Sequence, residues 1–226
     1  MIDFHELNCF FSFQEVPYLP FFEVADYYRG ITYNKSAEVQ NGEEGIRVLR
    51  ANNITLSTNL LNFDDVKVVR SDVKVTDKQH LFANDILICA GSGSKEHVGK
   101  VAYIKDGMDG YTFGGFMAVI RTKPNVIPRY MFHILTSDLF KKHLDTAIDS
   151  STINNLNAGV MESFRLPVPP IDIQNQVVEI LDYFTDLTEE LSAELTSRKL
   201  QYDYYRNSLL GFRGGAKYYY RVATLI

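Results

Sequence analysis

The chain has 226 residues, 46% of them hydrophobic and 23% charged, with a formal net charge of −5. That length suits one large domain with room for an appendage, and the composition is ordinary for a soluble globular protein. No apolar run outlasts a strand, Met1–Asn8 lacks the basic residue of a signal peptide, and Cys9 and Cys89 form neither a disulfide framework nor a metal-ligand spacing, which argues against a membrane-spanning or secreted protein and for a cytoplasmic one.

In chain order, Tyr28, Arg29, Tyr33 and Lys35 interleave aromatic and basic side chains. That pattern fits contact with a nucleic-acid backbone and equally fits core tyrosines with exposed tips. Alternation over Ile46-Arg47-Val48-Leu49-Arg50 predicts a half-buried strand, and Val66–Arg70 and Val73–Val75 read likewise. Asp85–Ala90 predicts a buried strand, stopped by the loop Gly91-Ser92-Gly93-Ser94. Gly99–Ile104 and Phe116–Ile120 predict two more, with turn signals at Asp106-Gly107 and Asp109-Gly110.

The pattern then becomes helical. Pro128 suits a first helical position, and Met131, Ile134, Leu135, Leu139 and Leu144 follow at helical spacing, predicting one helix over about 128–147. The polar stretch Asp149–Asn155 reads as a loop. Leu166-Pro167-Val168-Pro169-Pro170 cannot continue a helix and is the clearest boundary in the chain. After it, Asp172 suits an N-cap, and neither proline nor glycine intervenes before Gly211. Ile173, Val177, Ile180, Phe184, Leu187 and Leu191 form a heptad seam, which stutters at Leu195 and resumes with Tyr202, Tyr205 and Leu209. A helix over 172–210 would be about 57 Å long. Such a rod calls for a partner helix; the alternative is an amphipathic helix folded back on its own domain.

Few residues suggest chemistry. Gly91 to Lys100 resembles a phosphate-binding loop, but Ser94 and Val101 break the required Gly-Lys-Ser/Thr spacing. As a DNA-contacting loop it offers small residues for close backbone approach, with Ser92, Ser94, Lys95, His97 and Lys100 as donors; the alternative is a plain strand connector. Arg50, Asn52 and Asn53 end a strand. Arginine pairs with guanine and asparagine with adenine in the major groove, while a polar turn is the competing reading. Asp64-Asp65 reads better as a solvated turn than as part of a nuclease centre. His133 and His143 lack metal-ligand spacing, Cys89 reads as a core residue, and no Asn/Asp-Pro-Pro-Tyr/Phe motif of the adenine methyltransferases occurs. The net charge permits nucleic-acid binding, because residues 1–170 carry 17 basic against 20 acidic side chains and so leave room for a local basic face.

One segment resembles a known family. Pro169-Pro170, Ile173-Gln174, Ile180-Leu181-Asp182 with Phe184, Glu190-Leu191, Glu194-Leu195, Arg198-Lys199, Gln201-Tyr202, Tyr204-Tyr205-Arg206 and Leu209-Leu210 with Phe212 are similar, in order and register, to the conserved spacer of type I restriction–modification specificity subunits. Weaker blocks lie upstream, at Glu23–Tyr33, Ile46–Ile54, the Gly-Ser loop with Gly99-Lys100, and Ser151–Leu156. The resemblance implies an α+β fold: a target-recognition domain over 1–170, a coiled-coil spacer helix over 171–210, and an unassigned tail over 211–226. It implies a non-catalytic subunit that reads one half of a split double-stranded DNA target and scaffolds a methyltransferase and a restriction subunit. S-adenosylmethionine, ATP and Mg would be bound only in those partners. Members of the family have two recognition domains and two spacer helices that pair antiparallel. Here one of each is present, so two copies are expected to pair as a homodimer through their helices. The competing expectations are a hydrolase or nuclease using the Gly-Ser loop, and a coiled-coil interaction protein without DNA binding.

Overall fold

The structure is a computed structural model that describes residues 15–39, 44–56, 58–94, 97–149 and 155–211. By compactness the chain divides into two units, Met1–Glu179 and Ile180–Ile226.

The first unit is built on two four-stranded sheets. One has the order β2 (Ala25–Arg29), β9 (Met117–Thr122), β6 (Ile86–Cys89), β7 (Val101–Tyr103), antiparallel throughout. The other has the order β4 (Lys67–Val69), β3 (Ile46–Leu49), β8 (Met108–Phe113), β5 (His80–Leu81), with β3 and β8 parallel. A two-stranded ribbon joins β1 (Tyr18–Pro20), which runs into the one-turn helix α1 (Phe21–Val24), to β10 (Arg165–Pro167). Strand periodicity assigns the two faces of the first sheet. Ile86, Ile88, Ala118 and Ile120 enter one apolar cluster, while Leu87, Cys89, Met117 and Val119 enter the other. Helices cover the first face through Met131, Phe140 and Met161, and the second sheet covers the other through Leu49 and Phe113. Burial on both faces explains why β6 and β9 read as unbroken apolar runs. Truncating one such side chain, as in Ile88→Ala, costs about 2–5 kcal/mol.

Three expectations change before the proline step. The predicted helix over 128–147 is two helices, α2 (Pro128–Thr136) and α3 (Asp138–Asp149), parted at Ser137, whose backbone is extended. The Thr136 and Ser137 hydroxyls donate to the carbonyls of Phe132, His133 and Ile134, closing α2 early. The break lets Phe140 and Leu144 of α3 reach the core. Val73–Val75 form no strand: the Val73 amide closes a turn on the Arg70 carbonyl at 3.1 Å, while both valine side chains pack beside Ile31, Val48 and Val69. The turn signal at Asp109-Gly110 lies inside β8, where Gly110 takes φ +75° at a register shift against β5. The predicted polar loop over 149–155 falls mostly outside the described residues.

Helix α4 (Ala158–Glu162) is capped by Asn157, whose side chain accepts the Val160 amide, and leads through β10 to the proline step. Helix α5 spans Ile171–Leu210 without a break. Asp172 sits in its first turn rather than as its cap, where a negative charge still favours the helix dipole. Gln174 is the only buried residue of α5. Its Oε1 accepts the Ile127 amide, and its Nε2 donates to the carbonyls of Asn125 and Pro169. No described helix is long and apolar enough to cross a membrane.

Candidate nucleic-acid interface

A groove in the first unit collects residues that are far apart in sequence. Its walls are the segment from Ile31 to Glu38, Arg50 to Asn52 at the end of β3, Gly91 to Gly93 with His97, and Gly114 to Met117 between β8 and β9. Close backbone approach makes it. The Gly30 amide donates to the Met117 carbonyl at 3.0 Å, and the Ile31 amide to the Phe113 carbonyl at 2.8 Å. A Cβ at Gly30 would collide with the carbonyls of Phe113 and Gly114, so only glycine lets these strands meet. The Phe116 carbonyl accepts the amides of both Ala90 and Gly91, at 2.8 and 2.9 Å. Its backbone thereby fixes the start of the Gly-Ser loop while the residue stays 72% exposed.

The opposite wall is a small polar turn. The Arg50 amide donates to Asn53 Oδ1 at 2.8 Å, and Asn53 Nδ2 donates to the carbonyls of Asn62 and Asp65. Asn62 Oδ1 in turn accepts the Asp64 amide, so the turn at 50–53 and the segment at 62–65 are tied together. Arg50 Nη2 meets Asp65 Oδ2 at 2.7 Å. Tyr33 and Glu38 line the same groove; burial, and then the Glu38 carboxylate, push the Tyr33 phenol above its ordinary range. The groove thus holds cations, a carboxylate, hydroxyls and one bare aromatic ring. That mixture suits base edges better than a phosphate chain alone.

The family model described as "Type I restriction modification DNA specificity domain" matches residues 21–197. The chain belongs to that family. Among curated specificity subunits, that of EcoKI from Escherichia coli (strain K12) is 28% identical over 193 residues, 83% of this chain and 39% of its own length. That of StySPI from Salmonella potsdam is 26% identical over 168 residues, 74% of this chain and 35% of its own length. The chain therefore spans well under half the length of these two relatives. A chain from a structure described as the basis of complex assembly and conformational transition of the type I R-M system aligns over 91% of this chain and 48% of itself, with a TM-score of 0.66 and 15% identity. The HsdS subunit from Thermoanaerobacter tengcongensis aligns over 81% of this chain and 41% of itself, with a TM-score of 0.56 and 14% identity. At such identities the likeness shows the fold, an α+β domain with a long helix.

Within this specificity domain the residues expected to meet DNA do not all share one surface. Lys35, Arg50, Asn52, Ser92 and His97 share the groove. Three others are built into the framework. Asn53 is 1% exposed, with both ends of its amide in use, so it shapes the turn and does not face a base. Lys100 Nζ donates to the carbonyls of Ala51 and Ile54 at 2.8 and 2.6 Å, and its burial lowers its pKa. Arg29 Nη1 lies 3.2–3.4 Å from the Ala90 and Leu156 carbonyls and Asn155 Oδ1, bracing the loop from behind. Ser94 lines a separate cleft with Leu135 and Phe140, and Lys95 lies outside the described residues. Phe116, Glu38 and Asp65 were not singled out as DNA contacts by sequence; the Gly-Gly before Phe116 was the available sign of an aromatic held at a turn.

The remaining chemical candidates are structural. His143 Nε2 is 2.8 Å from the Val160 carbonyl, and its ring packs on Phe140 and Phe164. His133 lies outside the groove, edge-on to Phe132. Cys89 is buried and its thiol pKa is raised by that burial. Among the described residues no three His, Cys, Asp or Glu side chains gather as a metal site.

The helix seam also divides. Val177 packs against the core of the first unit and belongs to the fold rather than to a pairing face, and Ile173 beside it is partly covered. In the second unit, Ile180 and Leu187 are partly exposed, and Phe184, Leu191, Leu195, Tyr202, Tyr205 and Leu209 are exposed.

Proposed function

We propose that this chain reads one half of a split target in double-stranded DNA, as part of a type I restriction–modification complex acting in the cytoplasm. One observation carries the reading: Lys35, Arg50, Asn52, Ser92 and His97, brought from three separate segments, line a single groove beside the exposed Phe116 of a fourth. Membership of a DNA specificity family supports it. Arginine and asparagine, the residue types at 50 and 52, pair with guanine and adenine edges respectively. Lys35 and the Gly-Ser loop position the backbone, and Phe116 offers an apolar surface to a thymine methyl or an exposed base step.

Catalysis resides in the partners on this reading. A methyltransferase subunit and a restriction subunit dock on the chain, and S-adenosylmethionine, ATP and Mg are bound by them. The exposed seam of α5 pairs antiparallel with the same helix of a second copy, giving a closed twofold dimer that reads a palindromic, interrupted site. The rod then sets the distance between half-sites. A hydrolase, or a coiled-coil protein indifferent to DNA, finds no support in the family or in the groove.

The test is binding of the full chain to random-sequence duplex, with and without a type I methyltransferase subunit, followed by recovery and sequencing of the bound DNA. Two short conserved blocks at fixed spacing are expected. Recovery of DNA with no sequence preference overturns the reading.

A further inference from the structure

Arg50 and Asn52 reach the groove already tied to one carboxylate. Arg50 Nη2 donates to Asp65 Oδ2 at 2.7 Å and lies 3.3 Å from the Asp65 carbonyl, while Asn52 Nδ2 donates to the same Oδ2 at 3.1 Å. Asp65 is itself held, because the buried Asn53 donates to its carbonyl at 3.2 Å. The chain of support therefore runs from the core outward: Asn53 fixes Asp65, and Asp65 fixes both side chains on the groove wall. Arg50 Nη1 hydrogen-bonds to none of the described residues, and Arg50 Nε is enclosed without a partner among them.

We infer that Asp65 is the specificity-determining positioning residue of this groove, orienting the Arg50 guanidinium to read a guanine edge and holding Asn52 beside it. The inference rests on the reading of the groove as a DNA site. Three physical points carry it. An ion pair with side chains 33% and 61% exposed contributes little to stability, so the fold has small use for it. A long arginine side chain loses much rotamer freedom on binding, and fixing it beforehand moves that loss out of the binding step. A carboxylate beside DNA also repels phosphate, so it lowers affinity for every sequence alike while sharpening the choice among them. One carboxylate shared by an arginine and an asparagine is the arrangement that exchanges affinity for discrimination.

The experiment compares the full chain with its Arg50→Lys and Asp65→Ala variants, each with a type I methyltransferase subunit, by selection from random-sequence duplex and then by competition against the recovered sequence mutated one base pair at a time. Arg50→Lys keeps the charge and removes the fork; it is expected to cut the preference for guanine at a single position by about tenfold or more and leave other positions unchanged. Asp65→Ala is expected to weaken the preference at that same position, while binding to random duplex stays equal or tightens. Asp65→Asn keeps an acceptor without the charge and is expected to fall between. If Asp65→Ala shifts all sequences equally, or Arg50→Lys alters no position, Asp65 is only a loop clamp and the inference is overturned. If the unmodified chain selects no sequence at all, the DNA reading falls with it. Should Asp65→Ala lower the melting temperature markedly, Asp65→Asn, which keeps an acceptor for Arg50 and Asn52, decides the matter: an unchanged base preference there overturns the inference.

Discussion

Gln174 and Ile127, 47 residues apart, are joined by a 2.9 Å hydrogen bond from the Ile127 amide to Gln174 Oε1. The same side chain donates to the carbonyls of Asn125 and Pro169, so the first turns of α5 are locked to the loop before α2. All of these groups lie in the first unit, and Gln174 is fully buried. Gln174→Ala strands one donor and two acceptors; the expected loss is about 3 kcal/mol in denaturant unfolding of that unit. Gln174→Glu, which can accept but not donate, is expected to do no better.

Phe116 has its carbonyl engaged and its ring in solvent. Phe116→Ala is expected to leave the melting temperature within a degree or two, since exposed truncations away from special features change stability by about 0.5 kcal/mol at most. Binding to target DNA is expected to weaken by about 1–2 kcal/mol, as for an aromatic contact at an interface. Titration of one labelled duplex, alongside a thermal melt, separates the two effects.

Lys35 and Lys100 are expected to part company. Lys35 is exposed on the groove, so Lys35→Ala leaves stability unchanged and lowers the slope of log affinity against log salt by about one. Lys100 joins two carbonyls across 46 and 49 residues, so Lys100→Ala destabilises the fold and changes DNA affinity only through that loss. Salt titrations paired with urea unfolding tell them apart.

The second unit predicts an oligomer. Replacing Leu191 and Leu195, both exposed, with Glu is expected to turn a dimer into a monomer by sedimentation velocity, with unfolding of the first unit unaffected. A monomeric parent chain well above micromolar concentration removes the homodimer.

Tyr130 provides a pH signature. Burial raises its pKa from 10.0 to about 12 while its hydroxyl donates to the Pro167 carbonyl. The fold holds the proton more tightly than the unfolded chain does, so this stabilisation is complete below pH 10 and is lost as the pH climbs through about 12. The stability lost amounts to about 2–3 kcal/mol. Tyr130→Phe is expected to flatten that part of the alkaline unfolding curve.

Sequence alone determined the parts whose cause is local. The proline step, the uninterrupted run of α5, the buried strands β6 and β9, and the motif order that marks the family are all written in neighbouring residues. Local pattern misled at Ser137, where two hydroxyls end a helix whose apolar spacing carries straight on, and at Gly110, where a turn signal serves a bulge. Strands β1, β2, β5 and β10 were not legible, because each is two to five residues long and exists only through a partner elsewhere in the chain. The sharpest divide concerns the cations. Lys35, Arg50, Arg29 and Lys100 look alike in sequence, and only the tertiary structure decides that two face the groove and two brace it. The physical reason is that a charge is set free or engaged by which distant carbonyls the packed backbone brings within hydrogen-bonding reach, and no spacing along the chain encodes that distance.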